Sequence, residues 1–267
     1  MQTEFIDTHA HLYDFDLREE ESWEMVIGRS RDEGVTRVCM PNLDIETLPR
    51  MLAMERRFPD FCRSMIGLHP CEVDGGFEAK LAMLSKMLGK HPFVAVGEMG
   101  IDLYHSTAYR REQMMAFEVQ AGWARAHGLP LVIHCRDAFD TLFTCLEKVQ
   151  DGTLRGVVHC FTGTLAQAER CIDLGFHLGI GGIVTYKKGG LSEVVRALPL
   201  EHLVLETDTP YLTPVPKRGR QNEPSFLPHI AAGVAVLQGV QLEEVARVTT
   251  RNALQLFEGM TDDAVSG

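Results

Sequence analysis

Leu131-Val132-Ile133-His134-Cys135-Arg136-Asp137 and Gly156-Val157-Val158-His159-Cys160-Phe161-Thr162-Gly163 have one form: a short apolar run, a histidine, then a polar turn. A run of this length bounded by turn residues reads as a buried strand, and its histidine falls where the strand ends. Outward from this pair, short apolar runs recur at 5–8, 36–40, 63–68, 93–97, 131–134, 156–159, 177–180 and 203–206. Amphipathic stretches separate them. The clearest covers 109–127, with Met114, Phe117, Ala121 and Ala124 on one face and Gly128 and Pro130 ending it. Another opens at Thr164, with Gln167 three residues on as a capping box, and stops at Gly175. Eight alternating strand–helix units in 267 residues predict an α/β fold, a (β/α)8 TIM barrel. A doubly wound open sheet would bring only one or two strand ends to its crevice. The barrel gathers them on one face, where active sites of this fold sit. No low-complexity linker or shift of composition divides the chain. Residues 1–258 therefore read as a single domain and 259–267 as a disordered tail.

Composition narrows the class. With 45% hydrophobic and 24% charged residues, the chain reads as globular. It has no run of about 18 apolar residues and does not open with a basic stretch followed by an apolar core. A cytoplasmic protein without a membrane segment is expected. Seven cysteines form an odd set with no C-x-x-C pair, which reads as free, mostly buried thiols in a reducing compartment. Cys135 and Cys160 each follow a histidine; on a strand they would point away from whatever the histidines face, so they are not read as ligands. The net charge of −11 argues against a broad basic surface that holds long duplex DNA. It is compatible with a phosphodiester substrate, because divalent cations reverse the local sign of an acidic pocket.

His9-Ala10-His11 follows the apolar pair Phe5-Ile6. Two histidines one residue apart on a strand point to the same face and reach one cation. Glu98, His134, His159 and Asp208 each follow or end another apolar run. Imidazole and carboxylate together suit Zn, Mn, Fe or Ni, and Mg when phosphate oxygens complete its shell. Glu98, in Gly97-Glu98-Met99-Gly100-Ile101-Asp102, is the candidate to bridge two cations, since its flanking glycines let backbone and ligand approach closely. A glutamate paired with a barrel-interior arginine is the alternative. Asp208, in Glu206-Thr207-Asp208-Thr209-Pro210-Tyr211, either ligates a cation and takes a proton from metal-activated water or caps the turn before Pro210. His9, His11, Glu98, His134, His159 and Asp208 are thus the metal-ligand candidates, with Glu98 and Asp208 the catalytic ones.

Substrate contacts are read from the loops. His69, before Pro70, binds a substrate phosphate or a further cation, or is a turn residue held by the proline. Arg136 contacts an anionic substrate or orients Asp137. Lys187-Lys188 and Lys217-Arg218-Gly219-Arg220 are basic clusters in acidic surroundings, either phosphate contacts or a solvated face. Glu223, in Asn222-Glu223-Pro224, orients water, supports the ligand shell or caps the helix that follows. Tyr104 and Tyr211 are candidates to stack on a nucleobase. His91, His127, His177 and His202 read as structural.

Together, His9-Ala10-His11, Gly67-Leu68-His69-Pro70, Gly97-Glu98-Met99-Gly100-Ile101-Asp102, His134-Cys135-Arg136-Asp137, His159-Cys160-Phe161-Thr162-Gly163, Glu206-Thr207-Asp208-Thr209-Pro210-Tyr211-Leu212 and Arg220-Gln221-Asn222-Glu223-Pro224 resemble the TatD family of metal-dependent deoxyribonucleases. The likeness runs in order from His9 to about Phe257. Two positions depart from the usual pattern: Met99-Gly100-Ile101 stands where Thr or Ile, Gly, Leu is common, and Gln221 precedes Asn222-Glu223-Pro224. Neither removes a ligand. The resemblance implies an amidohydrolase-like TIM barrel with two divalent cations (Mg, Mn or Zn). It implies that His9, His11, Glu98 and Asp208 hold one cation and Glu98, His134 and His159 the other. It also implies 3′-to-5′ exonuclease action on ends of single-stranded DNA or RNA, with nucleotide phosphates as the recognised group. A metal-dependent hydrolase of an amide, lactone or aminoacyl ester, for example a D-aminoacyl-tRNA, is the competing enzymatic reading. A non-catalytic barrel predicts a missing ligand, and none is missing. Barrels of this kind commonly pair through helix faces, and the sequence assigns no oligomeric state.

Overall fold

The computed structural model describes residues 3–187 and 190–257. Lys188 and the expected tail, 259–267, lie outside them. Eight parallel strands follow one another: β1 (Phe5–Asp7), β2 (Val35–Met40), β3 (Cys62–Ser64), β4 (Val96–Asp102), β5 (Leu131–Arg136), β6 (Gly156–Val158), β7 (Phe176–Ile180) and β8 (Leu203–Leu205). Each of β1–β3 and β4–β8 pairs with its neighbour in chain order. Two seams close the ring. At one, Gly97 N–H donates to Ile66 O (2.9 Å) and Val94 N–H to Ser64 O (3.0 Å). At the other, Thr8 N–H donates to Leu205 O (3.0 Å) and Asp208 N–H to His9 O (2.9 Å). The expected barrel is therefore the observed one.

Helices α1 (Trp23–Asp32), α2 (Leu48–Arg57), α3 (Phe77–Leu84), α4 (Arg110–His127), α5 (Phe139–Val149), α6 (Leu165–Asp173), α7 (Leu191–Ala197), α8 (Leu227–Gln238) and α9 (Leu242–Leu256) follow in order. Their termini obey local chemistry. Thr164 and Gln167 form the capping box of α6, and Gly128 ends α4 with φ 67°. The inner face of α4 is not purely apolar. Beside Phe117, Ala121 and Ala124 it buries Gln113 and Gln120, whereas Met114 is half-buried. The glutamines fasten the loop backbone: Gln120 Oε1 accepts from Leu68 N (2.7 Å) and Gln113 Oε1 from Asp102 N (3.0 Å).

Alternation places the site. Ile6, Cys39, Met65, Val94, Ala95, Val132, Val157 and Val204 form one apolar cluster, to which α9 adds Ala253 and Leu256, followed by Phe257. It draws on residues from around the ring and fills its interior, as barrels of this type require. Side chains on a strand repeat every second residue. Two positions beyond Val132, Val157 and Val204 come His134, His159 and Glu206. The polar floor of the site is therefore the next layer above the apolar plug.

One strand departs from expectation. β4 spans Val96–Asp102 rather than 93–97, so Glu98 lies within a strand and not after it. The glycines that read as a strand end are what let the strand continue. A Cβ on Gly100, which has φ 152°, would fall 1.9 Å from His134 O on β5. Gly100→Ala should therefore push β4 off β5. A destabilisation of about 2 kcal/mol or more is expected, seen as a melting temperature about 5 °C lower in thermal unfolding. Wild-type stability in that variant would contradict the packing.

Candidate metal centre

Glu98 is the centre of the site, and its side chain is 3% exposed. The peptide groups around it are tied to the loop after β2: Glu98 N–H donates to Asn42 O (3.0 Å), and Asn42 N–H to Gly97 O (3.1 Å). Its two carboxylate oxygens face different partners. Oε2 lies 3.2 Å from His9 Nε2 and 3.5 Å from His11 Nε2. Oε1 lies 2.9 Å from His134 Nδ1, 2.9 Å from His159 Nε2 and 3.3 Å from His69 Nε2. On the first side, Asp208 Oδ1 joins at 3.5 Å from His11 Nε2 and 3.8 Å from His9 Nε2. All six metal-ligand candidates thus converge, and His69 comes with them.

The donors fit a cation. Ligand atoms about 2.0–2.2 Å from a metal lie about 3.0–3.5 Å from one another across a coordination shell. His9 Nε2 and His11 Nε2 are 3.2 Å apart, a close approach for two imidazole nitrogens that a shared cation or proton makes favourable. Within reach of one ion stand His9, His159 and Asp208; His9, His11 and Glu98; and His69, Glu98 and His134.

Electrostatics point the same way. Burial alone would raise the Glu98 carboxyl, but the charges of His159, His69 and His9 and the His134 hydrogen bond bring it well below the usual carboxylate range. Burial opposes a proton on His159, yet Glu98 and Glu206 hold it well above its ordinary value. Burial likewise opposes a charge on Asp208, and bonding to His11 with the nearby His9 and His159 lowers it. The pocket is built to balance buried negative charge with positive charge.

Outer partners orient the imidazoles. Asp102 Oδ2 lies 2.8 Å from His134 Nε2. Burial works against the Asp102 charge, but bonding to His134 and to Tyr104 N–H draws its carboxyl down to about 2. His11 Nδ1 meets Tyr13 Oη at 2.9 Å, and Tyr13 O–H donates to Pro41 O (2.5 Å). Glu206 is fully buried; its Oε1 accepts from Cys160 N (2.5 Å) and lies 3.5 Å from His159 Nδ1. The space for it exists because residue 179 is glycine, where a Cβ would fall 2.3 Å from Glu206 Oε2. Sequence reading assigned no role to Asp102 or Glu206. Both stand in quoted motifs at an even spacing from a ligand, Glu98 or Asp208, and that period of two was the available signal.

The centre opens into a cleft of about 520 Å³ lined by His11, His69, Arg136, Cys160, Asp208 and Tyr211, among others. Cys160 is therefore at the cleft and not turned away, because β6 ends at Val158 and Cys160 has φ 45°. Three expected substrate contacts, Arg220, Glu223 and Lys187, lie outside this cleft. Arg220 and Glu223 line a separate cavity with Arg18, Arg29 and Lys217. The Glu223 carboxylate is taken by Arg29, at 2.6 and 3.2 Å, and by Ser225. Lys187 is exposed and outside the cleft lining.

A ring of eight parallel strands with imidazoles and carboxylates clustered above its plug is the arrangement of a metal-dependent hydrolase built on a TIM barrel. The model of the TatD related DNase family matches residues 6–258. The chain is 38% identical to an uncharacterized metal-dependent hydrolase, YabD, of Bacillus subtilis, over 94% of this chain and 98% of that one. It is 34% identical to a protein of Erwinia tasmaniensis named 3′-5′ ssDNA/RNA exonuclease TatD, over 87% and 92%. The crystal structure of YJJV, a TatD homolog from Escherichia coli, superposes with a TM-score of 0.88 at 32% identity, over 96% and 99%. The chain belongs to the TatD family.

Asp102→Asn should loosen the His134 side of the centre. Outer partners of ligating histidines typically contribute about 10–100-fold to metal affinity. A loss of that size is expected in competition with a chelator, while a variant that binds as tightly as wild type would show Asp102 to be incidental.

Proposed function

We propose that this cleft hydrolyses phosphodiester bonds at the ends of single-stranded DNA or RNA, in the 3′-to-5′ direction. The observation that carries the reading is the division of Glu98: one oxygen toward His9 and His11, the other toward His134 and His159. A carboxylate so placed would serve two cations, one on each side. His9, His11, Glu98 and Asp208 would hold one, and Glu98, His134 and His159 the other, with His69 beside it. Imidazole donors suit Zn or Mn, and Mg where substrate oxygens complete its shell. When bound, two such ions act as Lewis acids on a phosphoryl group and lower the pKa of water.

The chain's own residues do the rest. Asp208 is held ionised, so the carboxylate oxygen it does not turn toward the histidines can take a proton from the attacking water. Its φ of 59° is what turns the side chain inward. Asp102 fixes the ring of His134, and Glu206 stands behind His159. The relatives named as single-strand exonucleases favour nucleic-acid ends over other esters. A single barrel domain in the cytoplasm fits the seven free thiols. Among the described residues no single helix is long and apolar enough to cross a membrane.

The test is cleavage of a 3′-ended single-stranded oligonucleotide beside an aminoacyl ester, with chelator and with metal restored. Chelation, Glu98→Gln and Asp208→Ala should each lower oligonucleotide turnover by about 100-fold or more, the scale of removing a metal or base from such a site. Undiminished turnover in any of the three would refute the mechanism. Preference for the aminoacyl ester would reassign the substrate.

A further inference from the structure

Among the described residues, Arg136 is the one arginine or lysine lining the cleft. It ends β5, opposite Asp102 of β4, and its carbonyl accepts from Leu103 N (3.0 Å). That register carries the chain to Tyr104, whose ring lies under the Arg136 guanidinium at 3.7 Å from its centroid. Asp102 sets the turn, because Tyr104 N–H donates to Asp102 Oδ1 (3.0 Å) while Asp102 Oδ2 meets His134 Nε2 (2.8 Å). One carboxylate therefore fixes both a metal-facing imidazole and the support of the Arg136 guanidinium.

Cations over rings recur in this chain, as with Arg218 over Tyr186 at 4.4 Å, and the Arg136–Tyr104 pair is the tightest of them among the described residues. Arg29, Arg31 and Arg57 each meet a carboxylate oxygen within 2.7 Å. Among the described residues no carboxylate or carbonyl takes the guanidinium N–H groups of Arg136, and the residue is exposed. A guanidinium against a ring face keeps its in-plane fork of donors for a ligand, and it loses less freedom on binding than an unsupported one. A planar fork of this kind is the preferred partner of a phosphate. The scissile phosphate belongs at the floor, with Glu98 and the histidines.

We infer that Tyr104 and Arg136 form a subsite for a second phosphate of the substrate, one that is not cut. This rests on reading the cleft as a phosphodiester site. Arg136 makes the contact and Tyr104 is a positioning residue. With one face of Tyr104 covered by Arg136, Tyr211 is the tyrosine left to meet a base. It is exposed, lines the cleft and stands edge-on to His11 at 6.0 Å.

The experiment compares the thymidine dinucleotide with its 5′-phosphorylated and 3′-phosphorylated forms, on the metal-loaded full chain, by turnover and by calorimetric binding. The plain dinucleotide has one phosphate and leaves the subsite empty. One phosphorylated form should be preferred by about tenfold, the scale of a charge-assisted bidentate contact, with the gain in KM and little change in kcat. Arg136→Ala and Tyr104→Leu should abolish that preference, and Tyr104→Phe should keep it. The double variant Tyr104→Leu/Arg136→Ala should be no worse than Arg136→Ala alone, since Tyr104 acts through Arg136. No preference in wild type, or additive losses in the double variant, overturns the subsite. A preference in binding without any cleavage upholds the subsite and refutes the phosphodiesterase reading instead.

Discussion

A carboxylate buried in a protein must be matched by positive charge, because removing it from water costs several kcal/mol even after relaxation. Glu98 sets that requirement here. Its side chain is nearly inaccessible, and five imidazole nitrogens surround it, from His9, His11, His69, His134 and His159. They arrive from β1, the loop after β3, β5 and the end of β6. Only a closed ring brings so many strand ends to one point. Neighbouring carboxylates favour a proton on His134 and on His159 against the effect of burial, Asp102 and Glu98 for the first and Glu98 and Glu206 for the second. A divalent cation satisfies the need for positive charge more fully, and the fold reads as a device for making that exchange favourable.

The barrel supplies the stability that such a cluster consumes. All four non-glycine residues with positive φ among the described residues lie at or beside the cleft: Asp137, Cys160, Asp208 and Leu212. Backbone of this kind costs on the order of 1–3 kcal/mol per residue and persists only where the surroundings over-determine it. The apolar plug from Ile6 to Val204, closed by Leu256 and Phe257, lies directly beneath and offsets that cost. Aspartate tolerates the left-handed region better than most residues, which suits Asp208 to a position where the chain must turn and still aim a side chain inward.

Much of this was legible in the sequence. Strand positions follow from short apolar runs, and the ligands follow from histidines at their ends; period-two alternation ties His134 and His159 to the valines two residues before them. What escaped reading shares one cause: it depends on what lies across the barrel. β4 runs past its expected end at Gly97 because Gly97 and Gly100 admit the neighbouring strands, which only the packing across the barrel reveals. Arg220 and Glu223 looked like site residues because they follow β8, but Arg29 on α1 claims Glu223 and holds that segment against another cavity. Asp102 was visible only as the tail of a motif. Its partner, His134, is distant in sequence, and no local pattern announces the bond.

The floor of the site does not by itself choose a substrate. Cations held by Glu98 and its histidines would activate water against phosphorus or against a carbonyl carbon with much the same geometry. Discrimination must then come from groups that meet the parts of the substrate that do not react. The rim offers few. Among the described residues Arg136 is its one positive charge, Tyr211 is its exposed aromatic ring, and Leu43, Ile183 and Leu212 supply apolar wall. A neutral ester finds nothing there to match the arginine, whereas a polyanionic chain places a phosphate near it in each nucleotide unit. In a protein of net charge −11, which repels nucleic acid at long range, that short-range contact would carry more of the selection than it would on a basic surface. On the proposed reading the acidic exterior and the ring-supported arginine are complementary. The first would discourage non-specific holding of a strand, and the second would reward the few nucleotides of it that enter the cleft.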